Sequence, residues 1–303
     1  MWVDPDDVIL LPDKMWGNYN LIFSVRRGAR IVNYSLFDAN GKFNLKAFEE
    51  CVRKEGKPGG TIIAILNFPN NPTGYTPTTD EVDTITEILY QAAEKGNQLV
   101  VLIDDAYFGF VYEGGIAKES IFAKIAQLHE HILAVKIDGA TKEDYVWGFR
   151  VGFLTYGIKG GTPELYDALA SKTAGAVRGN ISNACNLSQS ILLKAFNAPS
   201  YSKEKSDKYK ILEARYKKVR SVLSDPKFKA YYHALPFNSG YFMCLKLKEG
   251  LDGEKIRQIL LEKYETGLIH LAGIFRLAFS SVAEDKIEDL FVNIYHACRD
   301  SEA

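Results

Sequence analysis

The 303 residues carry a formal net charge of −1, with 47% hydrophobic and 25% charged residues. This balance suits a globular chain of roughly two domains and argues against a dedicated binder of nucleic acid or membrane surfaces. No apolar run reaches the roughly 20 residues that cross a bilayer, and the start, MWVDPDDVILLPDK, lacks the basic and apolar regions of a secretory signal.

Short runs rich in Ile, Val and Leu predict strands at 8–11, 30–34, 61–67, 98–104, 131–138 and 150–157. Helices are predicted at 17–25, 44–55, 79–95, 117–128 and 162–177. The clearest helix start lies in TPTTDEVDTITEILYQAAEK. There Thr78 or Thr79 caps, acidic residues fill the first turn, and Ile85, Ile88, Leu89 and Ala92 form an apolar stripe. Strand–helix–strand alternation implies an α/β fold with a mostly parallel sheet sandwiched by helices.

The pattern changes after residue 180. A long helix runs from about Tyr201 to Leu223, with Tyr209, Leu212, Tyr216, Val219 and Leu223 on one face. There follow SGYFMCLKL (239–247), a helix near 252–264, TGLIHLA (266–272), IFRLAFSSV (274–282) and a closing helix near 284–298. The expected division is a large domain over 1–200, a connecting helix over 201–224 and a smaller C-terminal α+β domain over 225–303.

Cys51, Cys185, Cys244 and Cys298 form no CxxC pair and read as the reduced thiols of a cytoplasmic protein. His129 and His131 have no further ligands at metal spacing, so no metal site is expected.

In an open α/β sheet, ligands bind beyond the carboxyl ends of the strands. The segments that follow the predicted strands are NFPNNPTG (67–74), DDAYFGF (104–110) and DGATKEDYVWGFRVGF (138–153). Each alone is an ordinary turn, cap or solvated loop. In order, they present Asn, Asp, Tyr, Lys and Arg at successive strand ends.

Together with MWGNY (15–19), RGNISN (178–183), NSGYF (238–242) and FRLAFSS (275–281), these motifs resemble the pyridoxal-phosphate aminotransferases of fold type I, class I/II. The resemblance covers essentially the whole chain, including an Arg eight residues after the Lys. It implies Lys142 as the Schiff-base lysine and proton shuttle, activated by desolvation and nearby cations. It implies Asp104 as the partner of the pyridine nitrogen, and Tyr107 and Asn71 as hydrogen-bond partners of the ring's 3-oxygen. Trp16 is similar to the aromatic that stacks on the ring, Arg150 to the phosphate-binding guanidinium, and Arg276 to the arginine that clamps the substrate α-carboxylate. Read without the resemblance, Trp16 is a core aromatic and Arg276 one half of a surface ion pair. Arg178 resembles the arginine that meets a distal carboxylate across a dimer interface. On its own it reads as part of a polar segment leading into a helix.

Two departures stand out. Gly139 occupies the place of a phosphate-binding Ser or Thr, which implies a weakened phosphate contact, with Thr141 nearby at a different offset. Members of the family also carry about a hundred further N-terminal residues, among them a Gly-rich loop that holds phosphate at a helix N-terminus, so the chain is expected to lack that segment. The expected function is transfer of an amino group between an amino acid, aspartate/glutamate-like or aromatic, and a 2-oxo acid. The expected assembly is a homodimer without nucleic-acid or membrane partners. A β-lyase, a decarboxylase or a non-catalytic remnant remains open on the same scaffold.

Overall fold

The computed structural model describes residues 2–271 and 273–302. The chain divides into two compact units. The first comprises Met1–Pro69, Thr76–Val111 and Gly115–Pro199, and the second Asn70–Tyr75, Tyr112–Gly114 and Ser200–Ala303.

In the first unit the elements are β1 (Val8–Pro12), a π-helical stretch Asn20–Val25, β2 (Arg30–Tyr34), α1 (Leu45–Glu55), β3 (Thr61–Asn67), α2 (Thr79–Glu94) and β4 (Gln98–Asp104). Then come α3 (Phe122–Ile125), β5 (Ile132–Asp138), the single turn α4 (Ala140–Glu143), β6 (Phe153–Gly157), α5 (Pro163–Ile181) and α6 (Asn186–Phe196). Among the described residues the strands form one sheet in the order β2-β1-β3-β4-β5-β6. Pairing is parallel up to β5, and β6 runs antiparallel to it. Ile9, Leu11, Ile63, Ile65, Leu102 and Val135 pack in one buried cluster with Tyr19. The alternate residues Ile62, Ala64, Leu66, Val101 and Ile103 are buried as well. Both faces are therefore covered, which is why these strands read as continuous apolar runs.

The predicted start of α2 is a full capping box. Glu81 N–H donates to the Thr78 hydroxyl, and the Glu81 carboxylate accepts from Thr78 N–H at 2.8 Å. The predicted helix over 117–128 shrinks to Phe122–Ile125. Its first residues spend their backbone bonds elsewhere, because Ile116 bridges Thr78 and Ala117 N–H donates to the Pro77 carbonyl. The helix predicted over 162–177 continues to Ile181, and α6 follows it unanticipated. No helix of the described residues is long and apolar enough to cross a membrane.

The second unit holds α7 (Tyr201–Leu223), β7 (Tyr232–Ala234), β8 (Met243–Leu247), α8 (Gly253–Tyr264), β9 (Ile269–Leu271), β10 (Ile274–Leu277) and α9 (Ile287–Ser301). The strands are antiparallel in the order β7-β8-β10-β9. Tyr216, Val219, Met243, Leu245, Ile256, Leu260, Phe275, Phe291 and Ile294 form its core. The segment TGLIHLA (266–272) contains β9, and its last residue, Ala272, lies outside the described residues.

Candidate active site

The carboxyl ends of β3, β4 and β5 organise the first unit. Asn67 and Asp104 pair across β3 and β4, and the Asn67 amide donates to the Asp104 main-chain carbonyl at 2.9 Å. The Asp104 side chain accepts from the Tyr19 hydroxyl at 2.5 Å and from Ala106 N–H at 3.1 Å. Burial pushes the Asp104 carboxyl above its ordinary range, while these hydrogen bonds and the Lys142 charge pull it down. Burial, then the Asp104 charge, hold the Tyr19 phenol well above its usual pKa, so Tyr19 remains a donor. Trp16 sits edge-on to Tyr19 with ring centroids 5.5 Å apart. It is exposed, and so is no core aromatic.

Beyond β5, Gly139 leads into α4, which carries Lys142. A Cβ on Gly139 would stand 2.6 Å from the Val151 carbonyl oxygen and 2.9 Å from Gly152 Cα. The backbone of residues 151–152 thus fills the space a Ser or Thr would need. Lys142 Nζ lies 5.2 Å from the ring centroid of buried Tyr107. Burial lowers the Lys142 pKa, Arg150 adds to this, and Asp104 opposes it. Arg150 has φ +56°, a left-handed conformation unusual for a side-chain-bearing residue. Observed strain of this kind is often retained at functional positions. Asp104, Asp138, Gly139, Thr141, Lys142 and Arg150 line one open depression of about 230 Å³. A larger groove of about 720 Å³ between α1 and α2 holds none of these residues.

Two participants escaped the sequence reading. Tyr19 lies in a quoted motif, but nothing local links it to Asp104. Asp105 is 3% exposed, and burial raises its carboxyl to about 7.

In the second unit, the Asn70–Tyr75 loop is built by its own side chains. Asn70 Oδ1 accepts from the Thr73 hydroxyl at 2.7 Å, and the Gly74 carbonyl accepts from Asn238 and Ser239 N–H. Arg276 lies on β10 opposite Cys244 of β8. It donates to Asn71 Oδ1 at 3.4 Å, and its guanidinium lies 4.7 Å from the Phe242 ring centroid. Three distant motifs, NNPTG, NSGYF and FRLAF, therefore meet within one unit, where Asn71 and Arg276 are hydrogen-bonded. Arg178 lies in the last turn of α5, and the segment 178–183 joins α5 to α6. Arg178 is exposed and donates to the Ser182 hydroxyl at 2.9 Å.

Comparison with known proteins gives the family and the fold. The profile of the family described as "Aminotransferase class I and II" matches residues 1–294. A probable aspartate/prephenate aminotransferase of Rickettsia felis is 24% identical over 98% of this chain and 70% of its own length. An aspartate aminotransferase of Bacillus sp. (strain YM-2) is 24% identical over 74% of this chain, and the match spans only 51% of that relative. The fold is similar to the crystal structure of an aminotransferase from Anaerococcus prevotii, with a TM-score of 0.84, 24% identity, and coverage of 98% of this chain and 71% of that one. The chain belongs to the class I and II aminotransferase family.

Proposed function

We propose that this chain acts as an amino-acid aminotransferase, moving an amino group between an amino acid and a 2-oxo acid with pyridoxal 5'-phosphate, the cofactor of its family. The observation that carries the reading is the pairing, in one depression, of a partly buried carboxylate, Asp104, with an amine whose pKa is lowered, Lys142.

The donor set suits that cofactor. Asp104 offers a partly buried carboxylate for a protonated pyridine nitrogen, Tyr107 a phenol, Lys142 an amine for an aldehyde, and Arg150 a guanidinium for a phosphate. When bound, the cofactor supplies an electron-withdrawing ring that makes the substrate Cα–H acidic. Trp16, exposed beside Tyr19, supplies a flat face for a ring. Lys142 Nζ, made less basic by burial, removes the proton at the substrate α-carbon and returns it. Arg276, steadied by Asn71 and the Phe242 ring, binds the α-carboxylate through its planar fork. Arg178 serves a distal acidic group. With two arginines for carboxylates, aspartate- or glutamate-like substrates are the first to assay. Exposed Ile181, Leu187, Ile191 and Leu193 support homodimer formation, which sedimentation of the chain tests.

The test is to titrate the 303-residue chain with pyridoxal 5'-phosphate and follow its visible absorption. Saturable binding that is lost in Lys142→Ala is expected, followed by amino transfer from aspartate or glutamate to a 2-oxo acid. Pyruvate release from cysteine-type substrates without amino transfer would assign a lyase instead. No uptake of the cofactor would overturn the reading.

A further inference from the structure

Asp104 ends β4 and Asp105 follows it, and the two carboxylates have different company. Asp104 meets Tyr19. Asp105 Oδ2 stands 3.9 Å from Lys136 Nζ of β5. Lys136 also pairs with Asp138 Oδ2, two residues along the same strand, and its ammonium lies 5.2 Å from the Phe108 ring centroid. All three charged side chains are largely buried. Among the described residues Asp105 Oδ2 and Asp138 Oδ1 lack hydrogen-bond partners, and the nearby Lys136 charge offsets them. Around Asp105, Ser120 and Lys136 favour the charged form, and Asp138 and Asp104 oppose it.

Each carboxylate adjoins a segment of the candidate site. Asp105 follows Asp104, donates its N–H to the Ile137 carbonyl at 2.9 Å, and its main-chain carbonyl accepts from Phe108 N–H at 2.9 Å. Asp138 precedes Gly139 and lines the depression together with Lys142 and Arg150. We infer that Lys136 is a positioning residue whose single ammonium ties residues 104–108 to residues 138–142. The tie fixes Asp104 relative to Lys142, and it cancels the Asp138 charge on the wall where Arg150 would meet an anion. The catalytic meaning of the tie rests on the proposed function, whereas the tie itself belongs to the free chain.

Hydrogen exchange of the free 303-residue chain tests it, with wild type, Lys136→Met and Lys136→Arg compared. Lys136→Met raises exchange in peptides spanning 104–110 and 138–146 together, by about tenfold, and leaves β1 and β3 unchanged. Lys136→Arg, which keeps the charge, returns both peptides toward wild type. In pyridoxal 5'-phosphate titrations, Lys136→Met also moves the pH midpoint of the visible band by about half a unit or more. Unchanged exchange, a rise in one peptide alone, or a uniform rise along the chain overturns the inference. Should Lys136→Met fail to fold, Asp138→Asn cuts the tie from its other end. It must loosen both peptides, and unchanged exchange in that variant overturns the inference equally. If the wild-type chain takes up no cofactor, the proposed function falls while the exchange data still decide this point.

Discussion

The Tyr19 hydroxyl donates to Asp104 Oδ2 at 2.5 Å, joining residues 85 positions apart in the sequence. Tyr19 is buried, and a carboxylate partly withdrawn from water, as Asp104 is, holds its charge more readily when donors face it. Tyr19→Phe removes one such donor and fills nearly the same volume. The folded state is expected to lose about 1.5–3 kcal/mol at neutral pH in urea unfolding. The Asp104 titration, followed by carboxyl NMR, should also move further upward. A variant with unchanged stability and titration would show that the bond does not support the carboxylate.

Gly74 and Gly59 make a matched pair. Both have φ +74°, but a Cβ on Gly74 would stand 2.0 Å from the Phe242 carbonyl oxygen, whereas nothing lies within 4 Å of one on Gly59. Gly59→Ala should therefore cost only the left-handed backbone term, about 1–2 kcal/mol. Gly74→Ala adds a clash with rigid backbone and should be the more damaging of the two by thermal unfolding. Equal losses would contradict the close packing of the Asn70–Tyr75 loop.

Asp105 gives the stability a pH dependence. Its folded pKa of about 7 lies above the ordinary value of 3.8, so between those values the folded state holds a proton that the unfolded state has released. Its relative stabilisation is complete at acid pH and is lost as the pH rises to about 7. Asp105→Asn abolishes this titration. The variant should show a flatter profile and a gain on the order of a few kcal/mol relative to wild type at pH 8, offset in part by the lost attraction to Lys136. Parallel profiles for the two proteins across pH 5–8 would refute the assignment.

Glu81 is a buried acid with a structural task. Its carboxylate accepts from Phe43 N–H at 3.0 Å as well as from Thr78 N–H at 2.8 Å. Glu81→Ala strands both donors and should destabilise the chain by roughly 2–4 kcal/mol, measured by denaturant unfolding. Glu81→Gln retains one acceptor oxygen and should lose less.

Much of the scaffold was legible because its signals are local. The runs 61–67 and 98–104 are apolar on both faces, and the strands occupy those residues. Thr78 and Glu81 stand three apart, the spacing a capping box requires. What escaped depends on non-local pairing. Nothing in the composition of residues 150–157 tells that β6 runs antiparallel, and the strand starts only at Phe153, after the left-handed turn at Arg150. Residues 117–128 carry an apolar spacing suited to a helix, yet Pro77 and Thr78 capture the backbone of the first part. Tyr19 reads from sequence as one more apolar aromatic, because its partner is supplied by β4. The Asn71–Arg276 contact likewise links the loop after β3 to β10, a meeting that spacing along the chain does not encode.

Gly139 carries a consequence for change at this site. Because the Val151–Gly152 backbone occupies the space above it, a serine or threonine there would force that backbone to shift. Residue 139 and the 151–152 backbone are thus coupled: a side chain at the first requires the second to move. Selection or engineering toward a firmer anion hold would meet a valley along that route. The open path runs through Thr141, which already lines the same depression and can be varied by itself.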